Sequence, residues 1–296
     1  MFLPSLRDVT VVVVTKDSAH CLDGLDPLLS CCEHVIVSDN ASGDGTADRV
    51  ATLWPHARVL RHPLNLGFGA ANNRALDQVS TPWAFLLNPD CVVSASALET
   101  LLSASRDFPD AAVVAPELSD PNGRREINYR WPQTVWPSTG PGADGPVCVG
   151  FVCGAAMLFR LSAFEGVGFF DETFFLYYED DDLCLRLFQH RRPMIVVPGA
   201  IARHFSRGSV RGDAPWRSEY TRGFHHAQSK LIFVSKHQSC AEAQRLRRRL
   251  IALTAVGLPL RVLAFSPRLI ARMWGRLCGL LQWRLPSRLA VSGASS

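Results

Sequence analysis

An α/β protein with a Rossmann-like, mostly parallel sheet and helices on both faces is what the sequence predicts, and three observations predict it. Val9 to Val14 is a continuous β-branched run, the pattern of a strand buried on both faces. Strand-like and helix-like segments then alternate, as they do in parallel sheets. The early strands also end in polar residues, with Asp17, Asp39 and Asp90 all falling at carboxyl ends, where such sheets bind their ligands.

The first strand delivers Thr15-Lys16-Asp17-Ser18, and a second, Val35 to Val37, delivers Ser38-Asp39-Asn40. Ser42-Gly43-Asp44-Gly45-Thr46 reads as a turn and helix start, with the helix running to about Trp54. A short strand near Arg58 to Leu60 follows, then the polar loop Asn65-Leu66-Gly67-Phe68-Gly69 and another helix. Trp83 to Leu87 is the next strand, and Ser96-x-x-Glu99 has the form of a capping box for the helix after it.

From Pro116 to Pro146 the pattern gives way to Pro, Gly, Asn and Arg, a stretch long enough to suggest a substrate loop or lid. Regular structure resumes with the apolar segment Val147 to Phe159, the aromatic run around Phe169 to Tyr178, a helix from Glu179 to about Gln189, and two short strands, Ile195 to Val197 and Ile201 to His204.

At 296 residues and 47% hydrophobic composition the chain can build a substantial core, which excludes general disorder. The net charge of +4 conceals an asymmetry: residues 1–239 hold 21 basic and 26 acidic side chains, whereas residues 240–296 hold ten Arg and one acid, Glu242. A catalytic domain over 1–239 and a basic helical tail over 240–296 are therefore expected. Nine cysteines without a C-x-x-C pair fit a reduced compartment better than a disulfide framework. The N-terminus lacks the order of a secretory signal, so the catalytic body is expected in the cytoplasm.

In the tail, Ala241 to Val256 is helical in pattern, Leu258-Pro259 is expected to break it, and Pro267 to Trp283 resumes. Arg268, Arg272 and Arg276 are spaced by four, opposite Leu269, Ile270, Met273, Trp274, Leu277 and Leu281. No apolar stretch reaches the roughly 20 residues of a membrane span. Such helices suit a bilayer interface, with Trp274 and Trp283 at the headgroups, and the competing expectation is a helix docked on the protein's own body. Peripheral contact with the inner face of the cell membrane is the favoured expectation. No nucleic-acid motif accompanies the arginines.

Two acidic clusters carry the chemistry. Asp90, in Asn88-Pro89-Asp90, offers a hard oxygen ligand of the kind Mg²⁺ or Mn²⁺ prefers, although the tripeptide alone is more often a turn. A cation there would stabilise a departing diphosphate. Glu179-Asp180-Asp181-Asp182 exceeds what a helix first turn requires, and a carboxylate in it could act as general base toward a hydroxyl. His204 could complete the coordination of a cation held by a carboxylate. Diphosphate departure and hydroxyl deprotonation belong together in sugar transfer from a nucleotide diphosphate.

The ordered set Thr15, Val37-Ser38-Asp39-Asn40-Ala41-Ser42 with Asp44-Gly45-Thr46, Asn65-Leu66-Gly67-Phe68 with Asn72-Asn73, Leu86 to Asp90, Gly154-Ala155, Gly168 to Glu172 and Tyr178-Glu179-Asp180-x-Asp182-Leu183 resembles the family 2 inverting glycosyltransferases, particularly their rhamnosyltransferase-like branch. The match covers roughly residues 8 to 210. The resemblance implies a GT-A fold, a nucleotide-diphosphate sugar donor (dTDP- or UDP-linked, dTDP-rhamnose among them) and a glycan or lipid-linked acceptor of cell-wall or polysaccharide biosynthesis. It implies that Thr15, Asp39, Asn65, Gly67, Asn72 and Asn88 serve the donor nucleotide. In the same way it makes Asp90 the metal ligand of a degenerate D-x-D motif, His204 a further metal or diphosphate ligand, Asp180 the base and Asp182 an assistant in acceptor binding. Lys16 and Asp17 depart from the aromatic residue and Asn common after the strand-one Thr, which removes stacking on the base from that position.

Three other readings compete. Gly67-Phe68-Gly69-Ala70-Ala71 is half of a dinucleotide fingerprint but lacks its third Gly. A sugar nucleotidyltransferase would carry a Gly-rich loop after strand one, which Lys16 does not supply. A non-catalytic glycan- or partner-binding module of transferase fold would have no reason to keep Asp39, Asp90, Asp180 and Asp182 together.

Overall fold

The computed structural model describes residues 4–132, 134, 142–205, 215–263 and 266–284. The chain forms two compact units, one of Met1–Phe170 with Asp180–Arg211 and one of Asp171–Glu179 with Gly212–Ser296. This division differs from the expected boundary at residue 240, because the helix Pro215–His237 groups with the tail.

In the first unit the elements run β1 (Val9–Thr15), α1 (Asp26–Leu29), β2 (His34–Asp39), α2 (Thr46–Leu53), β3 (Arg58–Arg61), α3 (Phe68–Leu76), β4 (Trp83–Leu87), β5 (Cys91–Val93) and α4 (Ala95–Asp107). They continue with β6 (Val113–Ser119), β7 (Arg125–Glu126), β8 (Tyr129–Arg130), β9 (Val147–Val149), β10 (Phe151–Val152), β11 (Ala156–Arg160), α5 (Glu179–Gln189) and β12 (Met194–His204). The main sheet has the order β3-β2-β1-β4-β11-β6-β12-β5. Its first four strands are parallel, β11 runs antiparallel between β4 and β6, β12 is parallel to β6, and β5 is antiparallel to β12.

Strand alternation sends the β1 run to both faces. Val9, Val11 and Val13 join Leu22, Leu28, Trp54, Leu98 and Leu101 in one core, while Val12 joins Ala75, Leu86, Phe159, Leu183 and Leu187 in the other. With both faces buried, polar side chains are admitted only where the strands end. Two non-glycine residues with left-handed backbones, Asp17 (φ 51°) and Ala41 (φ 61°), follow β1 and β2 at those ends.

Several local expectations are corrected. The α4 cap is Ser94, whose hydroxyl accepts from the Ala97 amide, and not Ser96. The stretch from Pro116 begins inside β6, an interior strand; Pro116 sits where β11 no longer pairs and where β12 shifts register between Val197 and Ile201, so its missing N–H breaks no regular ladder. That same irregularity merges the two expected final strands into one. Part of the expected lid, residues 133 and 135–141, lies outside the described residues.

The second unit contains α6 (Pro215–His237), α7 (Cys240–Leu263) and α8 (Pro267–Gln282), with the segment Asp171–Glu179 packed on α6. Ser229 Oγ donates to the Leu176 carbonyl at 2.8 Å, and Lys236 Nζ reaches Asp171 Oδ2 at 2.5 Å. Burial alone would raise Asp171, but hydrogen bonds from Lys236 and Thr173 and the Lys236 charge hold it below the ordinary range. Tyr177 and Tyr178 are consecutive left-handed residues at φ 70° and 67°, turning the chain immediately before α5. Contrary to expectation, α7 passes through Pro259; Ala255, four residues earlier, is exposed, so water can satisfy the carbonyl that Pro259 leaves unpaired.

Helices α6 and α8 approach at backbone distance. A Cβ on Gly275 would lie 2.0 Å from the Tyr220 carbonyl oxygen, one on Gly279 2.4 Å from that of Phe224, and one on Gly223 2.1 Å from that of Arg272. Arg247 of α7 closes the α8 C-terminus by donating to the Leu280 and Leu281 carbonyls at 2.7 and 3.0 Å. Trp283, expected at lipid headgroups, is instead 5% exposed in the core of this unit with Leu231, Ala243 and Leu280. No helix among the described residues is long and apolar enough to cross a membrane.

Gly275→Ala should destabilise the helical unit by about 1–3 kcal/mol, because the obstructing atoms are backbone and must be displaced. Urea or thermal unfolding followed by helix circular dichroism checks this. Gly145→Ala, where an added Cβ meets nothing within 4 Å, serves as the near-neutral control.

Candidate active site

The carboxyl ends of β1 and β2 form one polar group. Asp39 is 4% exposed; its Oδ1 accepts from Thr15 Oγ1 at 3.0 Å and its Oδ2 from the Ser42 amide at 3.1 Å. The neighbouring Asn40 ties in the next loop, donating to the Gly67 carbonyl and accepting from the Leu66 amide at 2.7 Å. Asn65 Oδ1 accepts from the Gly67 amide at 3.0 Å, and Gly67 holds φ 90°, ψ 170°, a conformation glycine alone adopts readily. Thr15, Asp39, Asn65 and Gly67 therefore share one locality. Asn72 does not present its amide there: it is 2% exposed and bonds the Phe68 carbonyl of its own helix. Lys16, bound to the Ala41 carbonyl at 2.6 Å and 3.1 Å from Asp17, bridges the two strand-end loops.

Asp90 lies between β4 and β5. Pairing of β5 with β12 sets Cys91 opposite His204 and brings His204 Nε2 to 3.6 Å from Asp90 Oδ1, with the Asp90 carbonyl accepting from the Phe205 amide at 2.8 Å. Two candidate cation ligands, distant in sequence, are thus adjacent. Among the described residues no group of three His, Cys, Asp or Glu side chains could hold a metal. One carboxylate and one imidazole fit a cation that takes its remaining ligands from substrate phosphates and water. Gly208 and Ser209, which follow His204 in the sequence, lie outside the described residues.

A backbone relay joins this strand end to the acidic run. The Asn88 amide donates to the Ala155 carbonyl at 2.9 Å, and the adjacent Gly154 amide donates to Asp180 Oδ2 at 3.2 Å. The Asn88 side chain, half-buried, is not committed to a hydrogen bond among the described residues. Asp180 reaches the surface at one edge, but its carboxyl group is enclosed; burial raises it above the ordinary carboxylate range against the pull of the Gly154 and Asp181 amides and the Arg130 charge. A raised carboxylate suits proton abstraction near neutral pH.

The neighbouring acids have other partners. Asp181 Oδ1 accepts from Arg130 Nη2 at 2.6 Å. Asp182, expected to assist in acceptor binding, is fully buried and pairs with Arg186 Nε at 2.8 Å, while Arg186 also donates to the carbonyls of Val167, Gly168 and Phe169. Two residues on from Asp180, the helix turns Asp182 toward its own i+4 arginine and away from solvent. Sequence reasoning missed Arg130, and it gave no role to Gly154 or to Asn73, whose side chain clamps both backbone groups of Phe170. Arg130 sits in the stretch without periodicity, and its only signal was an arginine flanked by Tyr129 and Trp131. A cavity of about 770 Å³ lined by Arg7, Cys31, Glu33, His56 and Glu99 opens at the amino ends of β1 and β2 and contains none of these residues.

Arg186→Ala should cost about 3–5 kcal/mol, because it removes the cation paired with the Asp182 carboxylate in the interior. The check is the midpoint of urea unfolding, with Asp182→Asn/Arg186→Ala recovering part of the loss.

Three comparisons bear on identity. Residues 27–168 match the family model described as glycosyl transferase family 2. The chain is 28% identical over 241 residues to the N-acetylglucosaminyl-diphospho-decaprenol L-rhamnosyltransferase of Mycobacterium tuberculosis, covering 69% of this chain and 75% of that protein. It is 32% identical over 219 residues to the pre-mycofactocin glycosyltransferase of the same organism, covering 70% of this chain and 45% of that protein. Among solved structures, the mannosyltransferase PcManGT of Pyrobaculum calidifontis with GDP-Man and Mn²⁺ superposes with a TM-score of 0.54 at 18% identity, over 94% of this chain and 88% of that one. GalNAc-T7 with UDP, GalNAc and Mn²⁺ gives 0.53 at 14% identity, over 75% and 50%. The sheet order and these likenesses agree: the fold is GT-A, residues 27–168 carry a family 2 glycosyltransferase domain, and the chain is a glycosyltransferase.

Proposed function

We propose that the protein is an inverting glycosyltransferase that moves a deoxyhexose, rhamnose by its likeness to the mycobacterial enzyme, from a dTDP- or UDP-linked donor to a hydroxyl of a lipid-linked glycan. The observation that carries this reading is the relay Asn88–Ala155–Gly154–Asp180, which sets the enclosed carboxylate beside the strand end that bears Asp90 and His204. Thr15 and Asp39 are assigned to the donor nucleotide, with Asn65 and Gly67 shaping the adjoining loop. Asp90 and His204 would hold Mg²⁺ or Mn²⁺, which when bound supplies positive charge to the leaving diphosphate.

Asp180 takes the proton of the acceptor hydroxyl as the oxygen attacks the anomeric carbon from the face opposite the diphosphate. The bond from that carbon to the diphosphate oxygen breaks, the nucleoside diphosphate leaves with the electron pair, and configuration inverts. Enclosure of Asp180 favours its neutral form, so the group binds the proton more readily than an exposed aspartate would.

Peripheral membrane contact is part of the same proposal. Its support is the set of exposed apolar side chains on the second unit, Leu253, Val256 and Val262 on α7 and Leu269, Trp274 and Leu281 on α8, together with the exposed Arg268 and Arg272. Such a site would be cytoplasmic, on the inner face of the cell membrane.

Nucleoside diphosphate release from dTDP-, UDP- and GDP-sugars with Mg²⁺ or Mn²⁺ and a polyprenyl-diphosphate glycan acceptor tests the reaction. Asp180→Asn should lower turnover by about 10²–10⁴-fold with donor binding retained. At pH 7 the variant should melt no lower than the parent. A carboxyl raised on folding penalises the native state above its folded pKa, and the penalty vanishes below the unfolded value of 3.8. An α-configured donor yielding an α-linked product would contradict inversion.

For the membrane, Trp274→Glu with Val256→Glu should reduce flotation with anionic liposomes at least tenfold while leaving transfer to a soluble acceptor intact. Equal flotation would refute the contact.

A further inference from the structure

We infer that Arg130 is a positioning residue of the transfer reaction, one that orients Asp180 through its ion pair with Asp181. The inference rests on the reading of Asp180 as the base. Strand β8 pairs with β10 in a separate two-stranded sheet, with Arg130 opposite Phe151 and the Gly150 amide donating to the Arg130 carbonyl at 3.1 Å. The guanidinium lies 3.5 Å from the centroid of the Phe151 ring and donates through Nη2 to Asp181 Oδ1 at 2.6 Å. These side chains are only 18% and 13% exposed, so water screens the pair weakly.

The geometry couples this pair to the base. Asp180 Oδ1 accepts from the Asp181 amide at 2.9 Å and Oδ2 from the Gly154 amide at 3.2 Å. Gly154 follows β10 by two residues, whereas Asp181 is anchored by β8. One small sheet thus holds the Gly154 and Asp181 amides that donate to the Asp180 carboxylate, one through each strand. Arg130 Nη1 is buried without a hydrogen-bond partner, leaving the cation's charge incompletely spent on Asp181 and able to act on Asp180. A lysine cannot reproduce both the stacking on Phe151 and the directed Nη2 contact.

Glu179, the buried residue before Asp180, is a further carboxylate, and the groups that follow Asp180 are compensated or neutral. Asp181 is paired with Arg130, Asp182 is tied to Arg186, and burial pushes the Cys184 thiol well above its ordinary value, so it stays neutral.

The test is the pH profile of kcat/KM for nucleoside diphosphate release in Arg130→Met, Arg130→Lys and Asp181→Asn, with donor binding and melting temperature measured alongside. Arg130→Met keeps an apolar stem over Phe151. It should lower kcat at least tenfold with donor Kd unchanged, and move the acid limb to higher pH, since losing the cation disfavours ionised Asp180. Arg130→Lys should return the acid limb toward the parent without restoring kcat. Asp181→Asn should move the limb the opposite way, to lower pH, because it removes a like charge and releases the guanidinium. Activity lost only in proportion to folded protein, with the acid limb unmoved in both Arg130→Met and Asp181→Asn, would overturn the inference while leaving Asp180 as base. Full activity in Asp180→Asn would overturn the underlying reading and this inference with it.

Discussion

The constraint on which the site depends is that β1 and β4 are buried along their whole length and β2 everywhere after its first residue, His34. A strand covered on both faces has no place for a polar side chain until it ends, so Thr15, Asp39 and Asp90 collect at the carboxyl ends of β1, β2 and the β4 turn. Parallel pairing then aligns those ends, since Thr15 is in register with Asp39. Strand β11 carries the same edge onward in the antiparallel sense, beginning where β4 finishes, with Ala156 opposite Leu87. Residues 154 and 155, just before β11, therefore stand beside residue 88 with no dedicated tertiary device.

The acidic run shows how a helix sorts identical side chains. Successive residues turn by about 100°, so consecutive aspartates face different surroundings. Asp180 meets the Gly154 amide and an enclosing wall, Asp181 meets a guanidinium stacked on an aromatic ring, and Asp182 meets the arginine four residues on in the interior. Asp181 and Asp182 are compensated by cations, whereas burial raises the Asp180 carboxyl against the pull of its backbone donors and of Arg130's more distant charge. Identical side chains in the sequence thus meet three different surroundings.

The helical unit illustrates a different economy. Gly223, Gly275 and Gly279 let α6 and α8 meet backbone to backbone, an approach any side chain would prevent. Trp283 is drawn into that packing, and the arginine column loses its expected counterpart at the headgroup level while Trp274 stays exposed. Amphipathic spacing alone could not decide between a helix face turned to its neighbours and one turned to lipid, because both present the same period.

Strand runs, turn chemistry and the clustering of polar residues were legible from local pattern, and with them the α/β class, the strand ends, the candidates Asp39 and Asp90 and the acidic run Glu179 to Asp182, within which only the family resemblance singled out Asp180. These features depend on neighbours in the chain, through the two-residue period of strands and the steric demands of turns. Strand β6 was hidden because Pro116 reads as a breaker, and its tolerance depends on a register shift in β12 some eighty residues later. The division of labour among Asp180, Asp181 and Asp182 was equally hidden, since it depends on Gly154, Arg130 and Arg186 as partners. Only the tertiary structure decided those pairings, because a carboxylate's role is set by the dielectric and the donors around it, and folding alone brings the distant ones there.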